Sequence, residues 1–325
     1  MKIIPTSVPG RLALFMAPIA LAMAFLAFYL PARPQTGPLK DKSAPIAEPK
    51  NPSVLGEANP RQDPAITLPE PPVLAKPLDT AGVQAKSFLI YDVASGAKLG
   101  GQNEHYPLPI ASLTKLMTAY VVYQNTVLSQ ETVTVQSGDP LSVSPALGLG
   151  VGDKALVIDL FNSMLIGSAN DAAHILGNYV GRKAGQPFTE LMNQSAKEIG
   201  MNESHFSNPM GFDSDTNYST AADLELLVNA VKQFQAFSLV GRETGYSFIS
   251  ANGKKFSVKA TNTLLPGDPE ISAVKTGYTD EAQGEMITEI NHQNHKFIII
   301  VLGSPNREQD TLKLKKAILD SYLWK

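Results

Sequence analysis

"PIASLTKLMTAY", residues 109–120, has helical spacing from Ser112 onward, with Leu113, Leu116, Met117 and Tyr120 on overlapping faces. Lys115 follows Ser112 by three positions. On a helix that spacing puts both side chains on one face, about 5–6 Å apart at Cβ. A serine in the first turn sits beside free backbone N–H groups and the positive end of the helix dipole. That field favours an oxyanion and disfavours a charged lysine. Buried there, a lysine could lose its proton near neutral pH and take one from the serine. The spacing alone is a weak signal. Ser95–Lys98 and Ser272–Lys275 repeat it, the first in a turn and the second in an expected strand. Taken alone, Ser112 reads best as a helix cap.

Two further patterns bear on that choice. Ser-x-Asn occurs at Ser168, Ser250 and Ser304. Ser168-Ala169-Asn170 lies in the short link between two apolar helices, where its polar groups either face a cleft or cap the next helix. Lys275-Thr276-Gly277 occurs once, at the end of a strand candidate. Its glycine would let a peptide backbone approach closely, and an exposed strand edge can pair with an extended peptide. An ideal strand sends Lys275 and Thr276 to opposite faces.

The surrounding pattern is one strand ("SFLIYD", 87–92) with a weaker return strand ("AKLGGQN"), then helices, then strands, then a last helix. Helices are expected at 112–124, 153–167, 170–181, 188–200 with Gly200 as C-cap, and 220–234 with Thr220 as N-cap. Asn252-Gly253 marks a hairpin within "YSFISANGKKFSV". "ISAVKTGYT", "GEMITEI" and "HKFIIIVLGS" read as strands, and 307–324 as a basic amphipathic helix. The expected class is α+β, an antiparallel sheet built from both ends of the ordered region with an inserted helical cluster.

Composition narrows the chemistry. The 325 residues carry a net charge of −3 and no cysteine. There is no basic field for nucleic acid, and no disulfide, zinc-thiolate site or thiol nucleophile. The histidines at 105, 174, 205, 292 and 295 show no metal-ligand spacing, so no metal or other cofactor is expected. Leu12–Leu30 is an uncharged apolar run of 19 residues, preceded by Lys2 and Arg11. As a helix it would be roughly 28 Å long, near one bilayer core. The basic flank places residues 1–11 in the cytoplasm and 12–30 as a single-pass anchor, a cleaved signal peptide being the alternative. Residues 31–83 hold half of the 24 prolines and read as a disordered tether. Order is expected from about Lys86, within a catalytic domain spanning 84–325 on the extracytoplasmic side of the cell membrane.

Taken together and in this order, the three motifs match the serine–lysine set of penicillin-binding proteins and class A β-lactamases. From about Phe88 to Trp324 the chain resembles the D-alanyl-D-alanine carboxypeptidases of the low-molecular-mass penicillin-binding proteins. The resemblance rests on "YPLPIASLTKLMTAY", "MLIGSANDAAHIL", "AKEIGMNESHFSNPMGFD", "NYSTAADLELL", "ATNTLLPG" and "AVKTGYTDEA". It implies a β-lactamase/transpeptidase-like fold and trimming of the terminal D-alanine from peptidoglycan stem peptides, with β-lactam antibiotics as inhibitors. It implies Ser112 as nucleophile, which also caps its helix, and Lys115 as proton acceptor. Ser168 would relay a proton to the leaving group and Asn170 would hold the substrate peptide. Lys275 and Thr276 of the Lys275-Thr276-Gly277 motif would bind the terminal carboxylate region. Backbone N–H groups of Ser112 and Tyr278 would form the oxyanion hole.

The chain departs from the family pattern in three places. Gln283 stands where members usually have glycine, which puts local sheet packing beside Lys275 in doubt. The arginine that some members carry near Thr261 is lacking. The C-terminal β-domain and amphipathic anchor of many members find no match, and the N-terminal helix is expected to take the anchor's place. Three other functions compete. A β-lactamase would need a base for the deacylating water, and Glu198–Asn202 has the local spacing. A D,D-endopeptidase would use the same motifs. A non-catalytic penicillin-binding sensor would keep the fold and lose turnover.

Overall fold

The structure, a computed structural model, describes residues 70–324 apart from Leu239. The expected anchor at 12–30 and the tether up to residue 69 lie outside the described residues. Among the described residues no helix is long and apolar enough to cross a membrane. The main sheet opens with β1 (Ser87–Asp92) and β2 (Lys98–Gln102). Helices α1 (Thr114–Asn125), α2 (Val157–Ile166), α3 (Asn170–Ala184), α4 (Phe188–Glu198) and α5 (Ala221–Lys232) follow. The chain returns to the sheet as β3 (Ile271–Thr279), β4 (Gln283–His292) and β5 (His295–Ser304), then forms α6 (Arg307–Ser321). The strands run in the order β3-β4-β5-β1-β2, each antiparallel to its neighbours. This is the expected α+β arrangement, and it leaves β3 at an edge.

Alternation divides the sheet's side chains between two cores. Phe88, Ile90, Met286, Ile290, Phe297 and Ile299 pack with Leu314 and Ile318 of α6. Leu89, Tyr91, Ile287, Ile298 and Ile300 pack with the inserted helices. A strand covered on both faces reads as an unbroken apolar run, which accounts for "SFLIYD" and "FIIIVL". Within the helical layer α1 touches α2, α3, α4 and α5. Leu113, Leu116, Met117, Val121 and Val122 are at most 1% exposed. Each such side chain contributes about 1.5–3 kcal/mol of burial. The helix that carries Lys115 is therefore held from every side.

Several local signals act as expected. Thr220 caps α5, its Oγ1 accepting the Asp223 N–H at 3.1 Å. Gly200 follows α4 with φ +90°, and Gly253 turns a hairpin between Gly245–Ile249 and Lys255–Lys259 with φ +83°.

Other expectations are corrected. The helix expected over 153–167 begins as a strand, Lys154–Leu156, paired with Thr132–Thr134; helix starts only at Val157. The helix expected over 307–324 stops at Ser321, and Tyr322–Leu323 pair with Val73–Leu74. The same pairing shows order beginning before Lys86, since residues 73 and 74 of the expected tether already form a two-stranded sheet, separate from the main one, with Tyr322–Leu323. In each case a partner strand distant in sequence overrides a local helical pattern.

Candidate active site

Ser112 lies in a 3-10 turn, Ala111–Leu113, that runs into α1. Its side chain caps neither element, which corrects the capping expectation. Instead Ser112 Oγ lies 2.8 Å from Lys115 Nζ. Lys115 is fully buried, and its Nζ also lies 2.8 Å from Asn170 Oδ1 and 2.5 Å from the Met210 carbonyl. Burial, with the charge of Lys275 adding to it, holds this amine well below the ordinary lysine range. A neutral amine has two N–H donors and one lone pair. Asn170 Oδ1 and the Met210 carbonyl can only accept, so they take the two N–H groups. The lone pair is left for the Ser112 hydroxyl, which donates. That is the hydrogen-bond pattern of a general base poised on a nucleophile.

Ser168 sits in the α2–α3 link with φ +57°, a conformation that costs a non-glycine residue of order 1–3 kcal/mol. It does not cap α3, whose N-cap is Ala169 without a side-chain bond. Lys275 Nζ donates to Ser168 Oγ at 3.0 Å and to the Thr276 carbonyl at 2.7 Å. Asn170 opens α3, and both ends of its amide are engaged. Its Oδ1 accepts from Lys115, and its Nδ2 donates to the Val143 carbonyl at 3.1 Å. In this state Asn170 orients the base. Nδ2 carries a second N–H, which can serve the expected role of holding a substrate peptide while the Val143 bond stays in place.

The β3–β4 register explains how the Lys-Thr-Gly motif divides its work. Lys275 pairs with Ile287, Thr276 with Met286 and Gly277 with Glu285. Ile287 belongs to the helix-side core and Met286 to the α6-side core. Lys275 and Gly277 thus share the face turned to the nucleophile. Thr276 takes the alternate position, its Oγ1 2.5 Å from Thr261 Oγ1 at the sheet edge. Burial pushes the Lys275 amine down to about 7, and the Arg307 guanidinium adds to the shift. Gly277 is needed for approach: a Cβ there would stand 3.0 Å from Ser112 N and 3.1 Å from Ala111 Cβ. Tyr278 lies at the rim with a largely exposed ring.

Residues without an assigned role in the sequence complete the site. Asn208 Oδ1 accepts the N–H groups of Met210, Gly211 and Phe212 at 3.1, 2.7 and 3.0 Å. This turn presents the Met210 carbonyl to Lys115. Gly211 has φ +87°, and a Cβ there would fall 1.9 Å from the Ala111 carbonyl oxygen. The tetrapeptide Asn208-Pro209-Met210-Gly211 was the available signal, a turn sequence between buried segments.

The departures are also placed. Gln283 adopts φ +65°, yet pairing from Lys275↔Ile287 to Thr279↔Gln283 is continuous, and the β3–β4 register shift lies on the other side of Lys275, between Ala273 and Lys275. Glu198 and Asn202 are exposed. Asn202 borders a groove with Lys98, Glu104, His105 and Glu225, none of them a residue of the site.

Comparison with known proteins places the chain among known families. Residues 74–306 match the family described as D-alanyl-D-alanine carboxypeptidase. The chain is 25% identical over 246 residues to D-alanyl-D-alanine carboxypeptidase DacF of Bacillus subtilis, covering 72% of this chain and 61% of the relative. It is 30% identical over 239 residues to DacC of Escherichia coli, covering 70% and 58%. The chain thus spans about three-fifths of the length of these curated relatives. Among solved structures it is similar to ampicillin-bound penicillin-binding protein D2 of Listeria monocytogenes, with TM-score 0.63, 31% identity and coverage of 74% and 99%. The Streptomyces K15 DD-transpeptidase gives TM-score 0.68, 25% identity and coverage of 76% and 100%. With a matched segment that contains all three motifs and a fold shared along nearly the full length of both solved neighbours, the chain belongs to the D-alanyl-D-alanine carboxypeptidase family.

Proposed function

We propose that the chain is a serine-type D-Ala-D-Ala carboxypeptidase, held at the outer face of the cell membrane by residues 12–30, that removes the terminal D-alanine of peptidoglycan stem peptides. The observation that carries the reading is the 2.8 Å contact between Ser112 Oγ and a fully buried Lys115 amine whose other two neighbours can only accept. The stem peptide lies along the open edge of β3, its terminal carboxylate near Lys275, Thr276 and Thr261. Ser112 Oγ attacks the penultimate D-alanine carbonyl as its proton passes to Lys115 Nζ. The negative charge on the carbonyl oxygen is met by the N–H groups of Ser112 and Tyr278. The C–N bond breaks, and the proton reaches the departing D-alanine nitrogen through Ser168. Water, deprotonated in turn by Lys115, then releases the shortened peptide from the Ser112 ester.

The ring carbonyl of a β-lactam offers Ser112 the same attack without a leaving group that diffuses away, so a lasting penicilloyl ester is expected. The test uses the full-length chain in detergent. Intact mass after penicillin treatment, peptide mapping of the adduct, and D-alanine release from a pentapeptide stem are measured on one preparation. One adduct at Ser112 together with D-alanine release supports the reading. An adduct elsewhere, or an adduct without D-alanine release, overturns it; the second outcome describes a sensor.

A further inference from the structure

The peptide bond between Gly277 and Tyr278 is held from behind. Arg307, the first residue of α6, donates from Nη1 to the Gly277 carbonyl at 2.6 Å. Its Nε is paired with the Glu308 carboxylate at 2.9 Å, so the guanidinium is fixed on two sides. The side chain reaches that carbonyl by passing over Gly284, which pairs with Tyr278. A Cβ at Gly284 would lie 3.2 Å from Arg307 Cβ and 3.4 Å from its Cδ. It would also lie 2.7 Å from the Ser304 carbonyl oxygen, so the missing side chain at 284 makes room both for β5 and for the arginine.

The adjoining carboxyl is arranged to leave that contact undisturbed. Glu285, opposite Gly277, is completely buried, with Oε1 accepting the Gly303 N–H at 3.0 Å and Oε2 unbonded. Burial drives it toward the neutral acid. A carboxylate there would compete for the guanidinium and cancel its field.

In a trans peptide the C=O of one residue and the N–H of the next point in opposite directions across a conjugated unit. A cation bonded to the Gly277 oxygen draws electron density through that unit and makes the Tyr278 N–H a stronger donor. Because β3 is an edge strand and Arg307 comes over β4, that N–H is aimed at the open edge. We propose that Arg307 is a positioning residue for acyl transfer, fixing and polarising the Gly277–Tyr278 peptide so that its N–H stabilises the oxyanion formed on Ser112 attack. This rests on the reading of Ser112 as nucleophile and of the Tyr278 N–H as an oxyanion donor.

The test compares full-length wild type with Arg307→Met and Arg307→Gln. Stopped-flow acylation over a range of penicillin concentrations separates the pre-covalent dissociation constant from the acylation rate constant. Infrared spectra of the acyl-enzyme made with carbonyl-labelled penicillin report the ester C=O stretch, which falls as the oxyanion hole binds more tightly. In both variants the expected result is an acylation rate constant lower by roughly 10–100-fold, a dissociation constant within about twofold, and an ester band at higher frequency. If Arg307→Met fails to fold, Arg307→Gln gives the same readouts. An acylation rate within about twofold of wild type overturns the proposal, as does a slowed rate with an unmoved ester band. A change confined to the dissociation constant also overturns it and assigns Arg307 to carboxylate binding through Lys275. If wild type itself takes no acyl group on Ser112, the functional reading fails, and this inference with it.

Discussion

Replacing Gly277 by alanine measures how closely β3 must approach the nucleophile turn. The new Cβ would meet Ser112 N at 3.0 Å, Ala111 Cβ at 3.1 Å and Glu285 Cβ at 3.2 Å. Comfortable carbon contacts lie at about 3.5–4 Å, so strand and turn must separate by roughly 0.5 Å. Gly277 is not among the positive-φ glycines, so the penalty is steric and not conformational. The turn cannot retreat, because Ala111 and Leu113 are buried against a core that surrounds α1. The edge strand moves instead, carrying the Tyr278 N–H away from the Ser112 N–H. Overpacking of this kind costs about 1–3 kcal/mol, with Tm falling by about 2–4 °C per kcal/mol in a large domain. A misplacement of 1 Å costs on the order of 100-fold in rate, so half of that costs about tenfold. Acylation by a chromogenic β-lactam in stopped flow, beside a melting curve, reads both numbers. A Gly277→Ala protein with lowered Tm and wild-type acylation rate would refute the claim that this contact sets the oxyanion geometry. Gly211→Ala provides the comparison. Its Cβ would overlap the Ala111 carbonyl at 1.9 Å, and φ is +87°, so loss of acylation together with severe destabilisation is expected.

The wild-type acylation rate should rise with pH through an apparent pKa well below that of free lysine, because burial and Lys275 hold Lys115 neutral at lower pH and only the neutral amine can accept the Ser112 proton. Lys115→Arg cannot give up its proton and should acylate slower by orders of magnitude; near-normal acylation would remove Lys115 as the base. Gln283→Gly relieves a left-handed non-glycine residue and should raise Tm by up to a few degrees, the gain being limited by the extra backbone entropy of glycine in the unfolded chain. An unchanged or lower Tm would show that the Gln283 side chain, bonded to the Asp280 carbonyl at 2.5 Å, compensates the strain. Glu198→Ala should leave penicillin turnover and D-alanine release within about twofold of wild type, since Glu198 is an exposed helix-end residue; a collapse of penicillin hydrolysis in that variant would revive the lactamase reading.

Much of the site was legible as a list of residues and little of it as an arrangement. Periodicity placed Ser112 and Lys115 on one helical face, and the ordered motifs brought in Ser168, Asn170 and Lys275. The locally sensible roles were misleading. Ser112 and Ser168 both read as caps, yet neither caps a helix, because each hydroxyl bonds a lysine. The Ser168 bond spans 107 positions, a separation that propensity and spacing cannot register. Asn208 and Gly211 carried only a turn signature, although they set the acceptor for the base.

Element type was determined by sequence wherever a chemical signal is local. The apolar run of β1 demands burial on two faces, Thr220 can accept its helix's free N–H, and Gly253 can turn a hairpin without Cβ strain. The absence of cysteine likewise excludes thiol chemistry. Tertiary structure decided whatever depends on groups remote along the chain. Leu323 joins Val73 as strand because pairing recovers backbone hydrogen bonds that an isolated helix end leaves open. The Lys115 amine falls below the ordinary lysine range only once the surrounding helices exclude water and Lys275 is brought near, since desolvation and charge repulsion belong to the folded environment and not to the residue.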